Sequence, residues 1–462
     1  MENPCHMCMP MGGILALKGI ENAMVIVHGS QGCSTYMRRH IAEHFNEPID
    51  VGSSSLNEKG TVYGGEANLR QALDNIIRVY QPGIIGVVTT CLAETIGEDI
   101  ARIVKDYRQE KTLAMPIVAA NTPGYGGSHS EGYWLTVRQL VETLATKSES
   151  HNKVNVIVPN MSPADIRELK RLLAVMGIEY TLCPDISDTL DQPYLPTYSK
   201  VPIGGTPVAD ICQMGGAPAT IELGVTTDGN LSPGRYLQEA FGVPLYSVPI
   251  PIGIENTDAF MAVLETISGK KRPAAIELER GRLIDAMIDS HKYNFAGRCA
   301  VFGDPDLVYA VTQLCLENGI RPVVITGDKN GNLAKLLPQT EMAAETVVLS
   351  DPDFNLVRTH AKEGNVNIAI GHSDGRFLTE RDDISLVRLG FPIHDRVGGQ
   401  RLLSVGYVGT ALLLDRITNT LLEDKYKHYR KNMFEKYYEL PEQPKTELEE
   451  RGWPLYAERA NR

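Results

Sequence analysis

The chain has 462 residues, of which 43% are hydrophobic and 22% charged. At roughly 100–200 residues per domain this is material for several packed domains, and it excludes a mainly disordered chain. Lys and Arg number 45 against 57 Asp and Glu, a net charge of −12 that argues against a nucleic acid or an anionic membrane as partner. No run approaches the ~18 apolar residues of a membrane span. The first residues, MENPC, carry neither a basic segment nor an apolar signal core. Eight cysteines are too sparse in a chain of this length for a disulfide scaffold. The expectation is a cytoplasmic protein in which clustered cysteines bind metal or carry redox chemistry.

One theme recurs three times along the chain: a short β-branched apolar run, a turn, then an amphipathic helix. In the first segment the runs 24–28 (MVIVH), 84–90 (IIGVVTT) and 117–121 (IVAAN) read as buried strands, with helical patterns at 69–80 and 96–107. The second segment opens with a strand at 154–159. Ser162 then reads as an N-cap, with Pro163 at the first helical position. Ile166, Leu169, Leu172, Leu173 and Met176 recur at helical spacing, Gly177 is a C-cap, and 178–182 completes a βαβ unit. The third segment has a strand at 299–302, a helix through 308–318 closed by Gly319, and strands at 322–326, 346–350, 367–370 and 386–389. Such alternation predicts parallel sheets covered on both faces. The fold class expected is α/β, with three doubly wound, Rossmann-like domains at 1–150, 151–297 and 298–420. A charged, Tyr-rich helical arm follows at 421–462.

In such sheets ligands collect outside the carboxyl ends of the strands. Cys33 follows the first strand in HGSQGC, Cys91 follows a later strand in TTC, and Cys8 precedes the first helix. Gly29 and Gly32 allow the backbone to turn tightly and approach a bulky group. Thiolates suit an iron–sulfur cluster or zinc. The alternative for these three residues is a set of buried core thiols. Cys5 and Cys8 form a C-x-x-C with no preceding strand and no second pair, which supports neither a thioredoxin-like nor a four-thiolate zinc site. Cys299 and Cys315 read as core. The turns beginning at Gly124 and Gly303 match neither dinucleotide nor P-loop patterns and read as strand-to-helix turns. His28, His44, His129 and His394 read as hydrogen-bonded structural residues, and no Ser/His/Asp or Cys/His spacing stands out.

Taken together, CMPMGG from Cys8, HGSQGC ending at Cys33 and TTCLAETIGED around Cys91 resemble the β-type subunit of nitrogenase component 1, as does the spacing of the three cysteines. HFNEP at His44, YGG at Tyr63, NTP at Asn121, GSH at Gly127, ERG at Glu279 and GFPIHDR at Gly390 add to the resemblance, which extends to about residue 420. It implies three similar α/β domains and a heterotetramer of two α-type and two β-type subunits. It also implies an interfacial iron–sulfur cluster shared with the α-type partner, of the eight-iron P-cluster type or a four-iron type. Cys8, Cys33 and Cys91 match its ligands. Ser30 and Tyr36 flank Cys33 and are candidates for the polar layer around it. Tyr63 matches an aromatic position on the surface where an ATP-dependent iron-protein reductase docks. The substrate-reducing metallocofactor belongs to the α-type partner, so no catalytic residue is expected in this chain.

One departure concerns the serine that can ligate the oxidised cluster in the family: the matching residue here is Gly124, and Ser128 matches a different serine. This bears against dinitrogen reduction. The function expected is an electron-relaying reductase subunit, of a nitrogenase or of a methylthio-alkane reductase that cleaves carbon–sulfur bonds. The alternative is the β-type subunit of the cofactor-assembly scaffold. The stretch RVGGQR from Arg396 to Arg401 is scaffold-like, whereas retention of all three cysteines favours the reductase.

Overall fold

The computed structural model describes residues 6–438, except 198, 328–331, 338–341 and 343–344. Cys5 and the expected arm beyond 438 lie outside the described residues. In the first unit, helices α1 (Met9–Lys18), α2 (Gln31–Phe45), α3 (Glu58–Tyr63), α4 (Glu66–Tyr80), α5 (Cys91–Thr95), α6 (Ile100–Glu110) and α7 (His129–Leu144) accompany strands β1 (Ala23–His28), β2 (Gly52–Ser53), β3 (Ile84–Thr89) and β4 (Ile117–Ala120). The second unit holds β5 (Val154–Ile157), β6 (Tyr180–Cys183), β7 (Thr220–Leu223) and β8 (Leu245–Val248). Its helices are α8 (Pro163–Val175), α9 (Val208–Gln213), α10 (Pro233–Phe241), α11 (Ile254–Ser268) and α12 (Ala274–Asn294). The third unit holds β9 (Arg298–Val301), β10 (Arg321–Gly327), β11 (Val347–Ser350), β12 (Ile368–Gly371) and β13 (Ser385–Arg388). With them come α13 (Pro305–Glu317), α14 (Leu333–Leu336), α15 (Phe354–Glu363), α16 (Arg376–Asp382) and α17 (Gly406–Tyr438). The last helix runs unbroken across residue 420.

All three sheets are parallel, in the orders β2-β1-β3-β4, β6-β5-β7-β8 and β11-β10-β9-β12-β13. Each order reverses direction once, between β1 and β3, β5 and β7, and β9 and β12, so each sheet is doubly wound with one switch point. The chemistry of the strands explains their legibility: every residue of β1 and β3 is buried, as a strand covered on both faces requires. In α4 the apolar stripe Leu69, Leu73 and Ile76 faces this sheet, as does Ile100, Ile103, Val104 and Tyr107 in α6.

Helix boundaries follow capping chemistry. Ser162 accepts from Asp165 N, with Pro163 opening α8, as its sequence predicts. The helix expected over 96–107 starts later, as α6 at Ile100, after a turn that follows the short α5. Gly97 is left-handed at φ +77°, and Asp99 then caps α6 by accepting from Arg102 N. The strands β2, β7 and β8 escape the sequence reading: β2 has two residues, while β7 (TIEL) and β8 (LYSV) interleave polar residues that dilute the apolar signal.

The first helix is seated by glycine. A Cβ on Gly12 would lie 1.7 Å from His129 O, and one on Gly132 would lie 2.1 Å from Met9 O. Helices α1 and α7 therefore meet backbone to backbone, which places the N-terminus of α1, and Cys8 with it, beside the N-terminus of α7. Residues of all three units contribute to one continuous apolar core.

Candidate metal centre

Cys33 and Cys91 follow β1 and β3, the two strands that flank the first sheet's switch point. The strands are in parallel register to their ends, where His28 pairs with Thr89, so the two following loops leave the sheet side by side. Gly29 makes that adjacency close: a Cβ there would lie 2.1 Å from Thr90 Oγ1. Cys8 reaches the same place from α1, through an antiparallel bridge between Cys8 and Ser128. The pattern therefore predicts the sheet edge correctly, but the cysteines do not sit in extended loops. Cys8 is the N-cap of α1, Cys33 the third residue of α2 and Cys91 the first of α5.

Gly124 marks how closely Cys8 and Cys91 approach. A Cβ there would lie 3.0 Å from Cys91 Sγ and 3.2 Å from Cys8 Cβ. Burial pushes the Cys8 thiol up to about 11, and the neighbouring Cys33 and Cys91 reinforce the shift. Each cysteine stands at a helix N-terminus, where unpaired N–H groups and the helix dipole favour negative charge. Cys8 and Cys33 are half-buried and Cys91 is exposed, with Tyr125 67% exposed and Tyr36 45% exposed nearby in sequence to Gly124 and Cys33. Among the described residues no three His, Cys, Asp or Glu side chains lie close enough to hold a single metal ion. Three thiols within electrostatic reach of one another, with Gly124 close against two of them, instead suit a multi-atom iron–sulfur cluster whose other side is closed from outside.

Ser30 Oγ lies 3.5 Å from Cys33 Sγ, within reach of a weak O–H···S bond. Tyr36 makes no bond to Cys33: its hydroxyl donates to Met7 Sδ at 3.2 Å, within electrostatic reach of Cys8, and its ring meets His40 edge-on, so it braces the residue before Cys8. Tyr63 ends α3 with 82% of its surface exposed, next to the 73% exposed Val62. Ser128 caps α7 in a reciprocal capping box with Glu131.

The four histidines singled out in the sequence are engaged. His28 Nδ1 meets Ser54 Oγ at 2.9 Å, and its Nε2 lies 3.6 Å from Glu98. His44 Nδ1 accepts from Ile393 N at 2.8 Å, and burial pushes the ring down to about 3. His394 pairs with Asp374 at 3.1 Å.

His129 carries more than the sequence suggests. Its Nδ1 accepts from Met7 N at 3.2 Å, and its Nε2 lies 2.6 Å from Asp304 Oδ1, at ion-pair distance. Asp304 in turn accepts from Asn160. One imidazole thus ties the backbone beside Cys8 to the strand-end turn after β9 in the third unit. The motif GSH contains His129, but only its fold partners reveal this role.

The cysteine geometry and the three switch-point sheets agree with a match over residues 8–422 to the nitrogenase component 1 type oxidoreductase family. The chain belongs to this family. It is 37% identical over 447 residues to the nitrogenase molybdenum-iron protein beta chain of Methanococcus maripaludis, covering 92% of this chain and 95% of that one. The corresponding beta chain of Clostridium pasteurianum is 37% identical, with 91% and 93% covered. The nitrogenase vanadium-iron protein beta chain of Trichormus variabilis is 34% identical, with 93% and 96% covered. A solved chain of nitrogenase Cp1 at pH 6.5 superposes with a TM-score of 0.88 at 35% identity, covering 93% of this chain and 94% of that one. As a member of the nitrogenase component 1 family with beta chains as relatives, the chain is an oxidoreductase subunit of beta type. Among the described residues no helix is long and apolar enough to cross a membrane.

Proposed function

We propose that this chain is the electron-relaying β-type subunit of a nitrogenase-like reductase, with Cys8, Cys33 and Cys91 holding an interfacial cluster. The observation that carries this reading is the convergence of three helix-N-terminal thiols at one switch point, over the floor formed by Gly124. A cluster bound there supplies one-electron storage and transfer. The chain's own contribution is position and electrostatics. Three helix N-termini stabilise negative charge, Ser30 offers a hydroxyl to Cys33, and His129 fixes the backbone beside Cys8. The packed pair α1 and α7 shields the inner side from water. The open side is where an α-type partner supplies the remaining ligands, in a heterotetramer of two such pairs. An ATP-dependent iron-protein reductase docks at the exposed Tyr63.

The molybdenum-iron and vanadium-iron beta chains among the relatives support the reductase reading over the assembly scaffold. Gly124 in place of a serine ligand makes methylthio-alkanes the substrates to assay beside dinitrogen. The test is anaerobic co-purification with the partner. Cys8→Ala, Cys33→Ala and Cys91→Ala should each lower iron content and the cluster's redox-dependent EPR signal while the complex still assembles. Full iron loading in all three variants would overturn the ligand assignment.

A further inference from the structure

The scaffold-like stretch 396–401 has no part in the relay, yet it builds one wall of a half-open cavity of about 400 Å3 at the carboxyl end of β13. Arg388, Arg396, Gly398, Gly399, Arg416 and Glu423 lie around it. Two of the arginines have anionic or carbonyl partners of their own: Arg388 grips Asp395 through Nε and Nη2 at 2.6–2.9 Å, and Arg396 donates to Asp395 O at 2.6 Å. Arg396 remains 62% exposed, 3.6 Å from Asp395 Oδ2.

Arg416 differs. It reaches the cavity from α17, its one hydrogen bond among the described residues is from Nη2 to Arg388 O at 2.6 Å, and no described carboxylate lies within ion-pairing distance. Burial depresses its pKa with no acid to offset the effect. A guanidinium has five donors, and holding most of them in a recess without a counter-charge is unfavourable.

The backbone opposite is prepared for negative charge. Gly398 is left-handed at φ +89° and the chain turns back through a single 3-10 turn at Gly399–Arg401. Outside the turn itself, the N–H groups of Gly398, Gly399 and Gln400 make no close backbone hydrogen bond among the described residues. Successive amides in such a reversal form a concavity that favours anions. A side chain on Gly399 would be tightly fitted, because its Cβ would lie 3.0 Å from both His44 Cε1 and Ile393 Cβ. The cavity also occupies the sheet edge where ligands of open parallel sheets bind. Glu423 on the rim repels an anion from its own side and so directs it toward Arg416.

We propose that this cavity binds a small oxyanion, a phosphate or a short polycarboxylate, through Arg416, Arg396 and the amides of Gly398–Gln400. The site is separate from the cysteine group and its test does not depend on cluster loading. The full chain, co-purified with its α-type partner, is titrated calorimetrically with inorganic phosphate and, separately, with malonate at low ionic strength. One saturable site per chain is expected for at least one of them, weakening as salt is raised. Arg416→Gln should weaken it by roughly tenfold or more, the loss of a charge-assisted bidentate contact. Arg396→Gln should weaken it less, and provides the second variant should Arg416→Gln fail to fold. Absence of saturable binding at millimolar anion, or unchanged affinity in both variants, overturns the proposal. So does a weaker subunit complex in Arg416→Gln without anion binding, since the counter-charge would then be a carboxylate of the partner.

Discussion

Gly124 carries a consequence at the scale of a single Cβ. An added methyl would meet Cys91 Sγ at 3.0 Å and Cys8 Cβ at 3.2 Å, a fit that gives only by a few tenths of an ångström. Gly124→Ala should therefore load iron nearly normally, whereas the branched side chain of Gly124→Val should crowd the cysteines and cut iron content by more than half. Unchanged circular dichroism in both variants would separate blocked loading from misfolding, and full loading of Gly124→Val would show that the cluster does not sit against Gly124.

A second residue-scale prediction concerns stability. Burial pushes the Glu222 carboxyl up to about 7, against hydrogen bonds from Ser232 Oγ and Gly234 N; Asp306 adds to the rise and Arg138 opposes it. Because the folded chain holds this proton more tightly than the unfolded chain, the contribution is fully present below the unfolded value of 4.5 and is lost as pH rises through about 7. Glu222→Gln keeps an acceptor without the charge. It should stabilise the protein at pH 8 by on the order of 2–3 kcal/mol relative to the parent, with the difference shrinking toward pH 5. Urea denaturation midpoints of both chains at the two pH values measure it. An equal difference at both would rule out Glu222 as the titrating group.

Between elements, the decisive contact is the crossing of α1 and α7. Gly12 and Gly132 allow backbone to touch backbone, and Cys8 and Ser128 begin the two helices on the same side. Gly12→Ala would force the helices apart, because the obstructing atom is the carbonyl oxygen of His129 rather than a side chain that can rotate away. A loss of about 3 kcal/mol is expected, the upper range of overpacking. It should be accompanied by lower iron content, since Cys8 moves with α1. A stability loss under ~0.5 kcal/mol, the size of an ordinary surface change, would mean that the crossing tolerates a wider gap. The sequence marks this crossing only as Gly12 within CMPMGG and a lone Gly132. Gly12 meets His129 and Gly132 meets Met9, each more than a hundred residues away, and no local pattern connects them.

At the scale of the whole molecule, the cysteine group reaches the surface, with Cys91 and Tyr125 exposed. A cluster with three ligands from one side needs its remaining ligands from another chain. Expressed without its partner, the chain should accordingly purify with little iron, and co-expression should restore it; a fully loaded single chain would contradict the shared site. Docking belongs to the same scale. Tyr63→Ala should lower turnover with the ATP-dependent reductase while iron content and assembly stay intact, because an 82% exposed ring contributes little to the core. Unchanged turnover would remove Tyr63 from the docking surface and leave the cysteine assignment standing.

The α/β class, the alternation of strands with helices and the sheet-edge position of Cys33 and Cys91 were all legible in the sequence. Buried parallel strands are continuous apolar runs, and capping residues such as Ser162 and Pro163 act within a few positions of themselves. The three cysteine motifs carried the family for the same reason, since each is a local string. Tertiary structure alone decided what is non-local. It set the strand orders that put β1 beside β3, the glycine contact that brings Cys8 to them, and the His129–Asp304 link between the first and third units. It also left Arg416 without an acid among the described residues. Strand order depends on which apolar faces find each other in space, and the neutralisation of a charge depends on who its neighbours are; neither is written in the residues adjacent along the chain.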